Sequence, residues 1–299
     1  MCWQDADVIA PVVSAADLPA LDGPAQGLRW HDGRSLVVAD VRWYLDGRDG
    51  NAAYREAHLP GAVFVDLETH LAAHGRPAVE GRHPFPTAES FAASMGTLGI
   101  APDAVVVAYD DAGGFTSARL VVMLRMLGQD AAVLDGGLTS WAASGRPVES
   151  GGGTERQAVT VGVRQWPIER FASADETLAA AASGEAVLDA RARERFTGEV
   201  AMIDPRPGHV PGARSAPWGA VLGEGSHFRS PSELRDHFHA LGADTGRPVA
   251  YCGSGVSACV NLVAMERAGL EPARLYAASF SGWSADPDHE VETGLGTTP

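Results

Sequence analysis

Short apolar runs rich in valine recur along the chain: Leu36-Val37-Val38-Ala39, Val105-Val106-Val107-Ala108, Ala186-Val187-Leu188 and Pro248-Val249-Ala250. They show no alternating polar face, which is the pattern of strands buried on both sides. Between them lie helix-like runs, each closed by a glycine. Ser117 to Leu127 ends at Gly128, Pro231 to Leu241 ends at Gly242, and Ser257 to Ala268 ends at Gly269; glycine is the usual residue just past a helix C-terminus. Strands alternating with helices predict an α/β fold with a mostly parallel sheet flanked by helices on both faces.

The two halves also read alike when slid by about 150 residues. In the first half, Leu36-Val37-Val38-Ala39-Asp40-Val41-Arg42 is followed by His58-Leu59-Pro60-Gly61-Ala62, then Val105 to Tyr109, then Leu134-Asp135-Gly136-Gly137-Leu138-Thr139-Ser140-Trp141. The second half keeps the order with Ala186-Val187-Leu188-Asp189-Ala190-Arg191, His209-Val210-Pro211-Gly212-Ala213, Pro248 to Tyr251 and Ser279-Phe280-Ser281-Gly282-Trp283. Two α/β domains of one ancestry are therefore expected. The join falls near Ser150-Gly151-Gly152-Gly153-Thr154, bracketed by Pro147 and Pro167, because three glycines with polar flanks hold no regular element cheaply. This sets an N-terminal domain at 1–149, a linker at 150–165 and a C-terminal domain at 166–299.

With 299 residues, 45% of them hydrophobic and 20% charged, the chain is long enough for two cores and too apolar for disorder. It has no uninterrupted apolar run of about 20 residues, the length needed to cross a bilayer. Met1-Cys2-Trp3-Gln4-Asp5 has no basic stretch followed by an apolar one, so a cytoplasmic location is expected. The net charge of −15 argues against nucleic acid or an anionic membrane as partner, and an anionic substrate would need local cations. Three cysteines, Cys2, Cys252 and Cys259, are too few for a disulfide framework and lack zinc spacing.

Only the second half has a cysteine at the end of its strand: Tyr251-Cys252-Gly253-Ser254-Gly255-Val256-Ser257 stands where the first half has Tyr109-Asp110-Asp111-Ala112-Gly113-Gly114-Phe115-Thr116-Ser117. The C-terminal edge of a parallel strand is where open α/β sheets bind ligands. The glycines let backbone N–H groups curl around the sulfur, and the positive end of the following helix adds to that field, so a thiolate or a persulfide is stabilised. The competing reading is a buried inert thiol, which has no need of two glycines and a serine after it. Cys259, about two helical turns further on or roughly 10 Å away, is too distant to act as a resolving thiol and reads as packing. Cys2 reads as incidental.

These motifs resemble the tandem-domain rhodanese-like sulfurtransferases over nearly the whole chain, through the Cys252 loop, both His-x-Pro-Gly-Ala motifs and Leu134-Asp135-Gly136-Gly137. Members with a Cys-Gly-Ser-Gly-Val-Thr loop are 3-mercaptopyruvate sulfurtransferases, whereas thiosulfate-preferring members carry Arg and Lys after the cysteine. The present loop has neither, and Ser257 keeps the hydroxyl of Thr. The resemblance implies sulfur transfer from 3-mercaptopyruvate through a Cys252 persulfide to a thiol, thioredoxin or cyanide, with no cofactor and no metal. It also implies two arginine clamps, Arg195 of Arg195-Phe196 and Arg206 of Pro205-Arg206, and loop residues Gly253, Gly255, Val256 and Ser257 around the substrate. For either arginine the alternative is a surface ion pair; Arg191 resembles a structural arginine. A Ser254-His58-Asp49 proton relay is implied as well, although His209 fills the same motif as His58 in the other half, so bracing the Pro-Gly turn is the alternative role. Thiosulfate remains the alternative donor. A phosphatase of related fold would need Arg at the sixth position after the cysteine, which here is Ala258. A silent binding module fits the first half alone, with Asp110 where the thiol would be.

Overall fold

The valine-rich runs are the middle strands of two parallel sheets in the computed structural model, which describes residues 8–21, 27–153 and 155–295. Cys2 and Thr154 lie outside these described residues. In the first sheet the strands are β1 (Val12–Val13), β2 (Leu36–Asp40), β3 (Val63–Phe64), β4 (Val105–Tyr109) and β5 (Ala131–Leu134), in the spatial order β1-β5-β4-β2-β3. The second holds β6 (Val187–Asp189), β7 (Arg214–Ser215), β8 (Val249–Tyr251) and β9 (Arg274–Leu275), ordered β7-β6-β8-β9. Every strand pairing is parallel, so each connection must cross over, and helices lie in the connections from β2 through β5 and from β6 through β9. The two sheets share one register. Asp40 sits opposite Tyr109 at the end of β2 and β4, and Asp189 opposite Tyr251 at the end of β6 and β8.

Each sheet is buried on both faces, as the unbroken apolar runs require. Leu36, Val38, Val105 and Val107 enter one core with Leu59 and Trp141, while Val187, Val249 and Tyr251 enter another with Phe196, Phe280 and Trp283. The helices end where the glycines predicted. Ser117–Met126 runs out at Gly128, Pro231–Ala240 at Gly242 and Ala258–Arg267 at Gly269, all three glycines having positive φ.

The division of the chain is not contiguous. One unit comprises Met1–Leu71, Pro86–Trp166 and Glu224–Phe228; the other comprises Ala72–Phe85, Pro167–Gly223 and Arg229–Pro299. The expected linker at 150–165 belongs to the first unit, where Val159 N–H donates to the Gly96 carbonyl (3.0 Å) and the Arg156 guanidinium reaches the Gly99 carbonyl (3.3 Å). Residues 72–85, by contrast, belong to the second unit: Arg82 N–H donates to Ser281 Oγ and its guanidinium binds Asp204. Among the described residues no helix is long and apolar enough to cross a membrane.

Candidate active site

Cys252 directly follows the central strand β8, and main-chain bonds fix its position. Its N–H donates to Ser279 Oγ (3.1 Å), its carbonyl accepts from Phe280 N–H (2.9 Å), and the Gly253 carbonyl accepts from Ser281 N–H (2.9 Å). Gly255 has φ of 77°, a left-handed conformation that a side chain would strain, and so turns the loop into the helix Ala258–Arg267. Gly253, Gly255, Val256 and Ser257 are all buried with Cys252.

The first unit shows what this loop shape can hold. At the position of Cys252 stands Asp110, whose carboxylate accepts from the backbone N–H groups of Ala112, Gly114, Thr116 and Ser117, each at 2.9 Å, and from the Ser117 hydroxyl. A strand-end loop of this kind therefore forms a nest of inward-pointing N–H groups around an anion. In the first unit the anion is the chain's own carboxylate. Asp110→Ala would leave several buried donors without an acceptor and is expected to cost about 3 kcal/mol of stability in urea unfolding, while turnover per folded molecule stays near that of the parent.

Two guanidinium groups stand over the Cys252 loop. A Cβ placed on Gly253 would come within 2.8 Å of Arg82 Nη2 and 3.0 Å of Arg195 Nη2, so a side chain there would push the two guanidinium groups aside. Both arginines are held by Asp204: Arg82 Nη1 lies 2.9 Å from its Oδ1, and Arg195 Nη2 bonds its Oδ2. Arg191 Nη1 reaches the same Oδ2 at 3.2 Å, while its Nε and Nη2 grip Asp189. Burial raises the Asp204 carboxyl, but Arg195, with Arg82 and Arg191, outweighs this and holds it below the usual carboxylate range.

Arg195 is thus beside the Cys252 loop. Arg206 is committed elsewhere. Its guanidinium donates to the main-chain carbonyls of Trp283, Ser284, Asp286 and His289 at 2.7–3.3 Å, closing the end of the helix Ser279–Ala285. Arg82, which the sequence reading passed over, holds the place beside Arg195. Arg191 has the structural role expected of it, stacked 3.8 Å over the Phe280 ring and locked to Asp189 as Arg42 is to Asp40.

The hydroxyl of Ser254 lies 2.7 Å from His83 Nδ1, and both side chains are buried. The sequence reading gave that place to His58. His58 is wholly buried in the first unit, with Nδ1 2.8 Å from the Tyr54 carbonyl and its ring stacked on Tyr54. His209 repeats this in the second unit, with Nδ1 2.8 Å from the Phe196 carbonyl and its ring stacked on Phe196. Each histidine also exchanges main-chain bonds with a glutamate, Glu149 or Glu292. The same surroundings recur in both units, of which one has no thiol, and they fit the alternative role of bracing the Pro-Gly turns. Asp49 is exposed and caps the helix Gly50–Glu56, accepting from Asn51 and Ala52 N–H at 2.8 and 3.2 Å.

Nothing local in the chain marked His83 as the partner of Ser254. Gly81-Arg82-His83-Pro84 precedes a helix capped by Thr87, and in the other half His227 precedes a helix capped by Ser230. Both segments, 72–85 and 224–228, join the unit built mainly from the opposite half of the chain. Among the described residues no cluster of His, Cys, Asp or Glu side chains suits a metal ion.

Comparison with known proteins gives a consistent picture. The Rhodanese-like domain family matches the chain twice, at residues 26–144 and 173–286. A Pseudomonas aeruginosa protein provisionally named a 3-mercaptopyruvate sulfurtransferase is 42% identical over 267 residues, covering 87% of this chain and 93% of its own. A Mycobacterium tuberculosis protein provisionally named a thiosulfate sulfurtransferase is 40% identical over 88% of this chain and 92% of its own. Among solved structures, 3-mercaptopyruvate sulfurtransferase from Leishmania major superposes with a TM-score of 0.74 at 31% identity, covering 84% of this chain and 70% of that one.

Proposed function

The chain belongs to the rhodanese-like family, with two such domains in tandem, and from that premise we propose that it is a sulfurtransferase taking sulfane sulfur from 3-mercaptopyruvate onto Cys252. The observation that carries this reading is the position of Arg82 and Arg195 over Gly253, the residue after Cys252. Guanidinium forks bind a carboxylate with two parallel bonds, and they supply the local cations that a protein of net charge −15 needs for an anionic donor.

The chemistry follows from the groups at hand. The Cys252 thiolate attacks the donor sulfur, a sulfur–sulfur bond forms, the carbon–sulfur bond breaks, and its electrons leave as the enolate of pyruvate. That enolate needs a proton, and the 2.7 Å contact of His83 Nδ1 with Ser254 Oγ supports its delivery through the serine hydroxyl. The persulfide left on Cys252 sits in a loop of the same kind as the one that holds the Asp110 carboxylate in the first unit, with the open end of the helix Ala258–Arg267 behind it. A second thiol, a thioredoxin-like protein or cyanide then removes the outer sulfur. The cytoplasm, where thiols stay reduced, is the compartment this reading takes.

The test is mass spectrometry of the intact protein after exposure to mercaptopyruvate. A gain of one sulfur atom, lost again on adding cyanide, is the expected result; no gain overturns the assignment.

A further inference from the structure

We propose that Asp204 sets the net charge beside Cys252 and so selects a singly charged sulfur donor over a doubly charged one. The inference rests on the reading of Cys252 as the sulfur acceptor and goes further, to which donor the site favours.

Asp204 is a resident anion on the guanidinium groups that face the thiol loop. Its side chain is 2% exposed, and its two oxygens bind Arg82, Arg191 and Arg195. Arg191 is shared with Asp189, itself fully buried. The cluster therefore sets three guanidinium groups against two carboxylates. One positive charge is left over, to be shared between the Cys252 thiolate and a donor.

A single surplus charge discriminates between anions for a simple reason. Attraction to the site grows in proportion to the donor's charge, whereas the Born cost of taking the donor out of water grows as the square of that charge. Mercaptopyruvate brings one carboxylate, and thiosulfate brings two negative charges. Against one surplus cation, the dianion doubles its attraction but meets a fourfold desolvation cost. Removing the Asp204 charge doubles the surplus, which aids the dianion more than the monoanion. Either donor can deliver sulfur to the thiolate with balanced chemistry, since thiosulfate releases sulfite with the electrons of its sulfur–sulfur bond, so the difference lies in binding and not in the step.

Asp204 is also a strut for Arg82 and Arg195, and a role as strut alone would have another signature. Loosening both guanidinium groups would weaken both donors in proportion. The ratio of kcat/KM for thiosulfate to that for mercaptopyruvate cancels such a shared loss and isolates the charge effect.

The experiment measures that ratio in the parent protein, in Asp204→Asn and in Asp204→Glu. The Asn variant is expected to raise it about tenfold, equivalent to about 1.4 kcal/mol, and the Glu variant, which keeps the charge, to hold it within about twofold. Equal losses on both donors in Asp204→Asn would overturn the proposal and leave Asp204 a strut. Should that variant not fold, the parent protein supplies a second measurement. Pyruvate should protect Cys252 from iodoacetamide at lower concentration than sulfate does, and the reverse order overturns the proposal. Absence of sulfur on Cys252 after treatment with either donor would instead bring down the parent reading, and this inference with it.

Discussion

Cys252→Ser abolishes sulfur loading and turnover with every donor while the protein keeps its fold and stability. The bonds that shape the loop are made by the main chain, from Cys252 N–H to Ser279 Oγ and from Phe280 and Ser281 N–H to the carbonyls of Cys252 and Gly253, and none involves the sulfur. An oxygen in place of sulfur fits the same space but cannot accept a sulfane sulfur under these conditions. Cys259→Ser is the control. Its sulfur is buried on the helix Ala258–Arg267, 3.4 Å from the Gly255 carbonyl, where a hydroxyl makes the same bond, so most activity remains. Intact mass after donor treatment reads both variants. A Cys252→Ser protein that still gains sulfur, or a Cys259→Ser protein that does not, would move the acceptor to the other thiol.

His83→Ala lowers turnover on mercaptopyruvate by about 10²-fold, the lower end of the range for general acid–base groups. The loss on thiosulfate is much smaller, because sulfite leaves without needing a proton. The argument rests on the 2.7 Å approach of His83 Nδ1 to Ser254 Oγ. His58→Ala behaves differently. It removes a wholly buried ring stacked on Tyr54 and bonded to its carbonyl, so it lowers stability and the yield of folded protein without separating the two donors. Steady-state rates with both donors, set beside urea unfolding of both variants, distinguish the roles. If His58→Ala shows the donor-selective loss and His83→Ala does not, the proton route runs through the wrong histidine here.

The contrast between these histidines shows where a sequence stops being sufficient. The fold was legible in it: doubly buried parallel strands write themselves as unbroken valine-rich runs, and helix ends write themselves as glycines at Gly128, Gly242 and Gly269, because both signals come from local backbone and burial preferences. The loop that carries Cys252 stood out in the sequence for the same reason. Its chemistry is concentrated in consecutive residues at a strand end, and the repeat supplied an internal comparison with Asp110.

The other side chains were decided by tertiary structure alone. The repeat pointed to His58 because it recurs as His209, yet recurrence marks what both units need to fold, and the thiol-bearing unit takes its distinctive partner from a segment outside the repeat motifs. Arg82 and His83 lie about 170 residues before the loop they meet. No local periodicity encodes such a contact. Arg195 and Arg206 likewise look equivalent as text, and only the positions of Asp204 and of the carbonyls of Trp283, Ser284, Asp286 and His289 hold one guanidinium over Gly253 and commit the other to a helix end. A charged side chain declares its type in sequence, but its role is set by which opposite charges and open carbonyls the fold brings within reach, because a buried guanidinium is stable only where its donors are met.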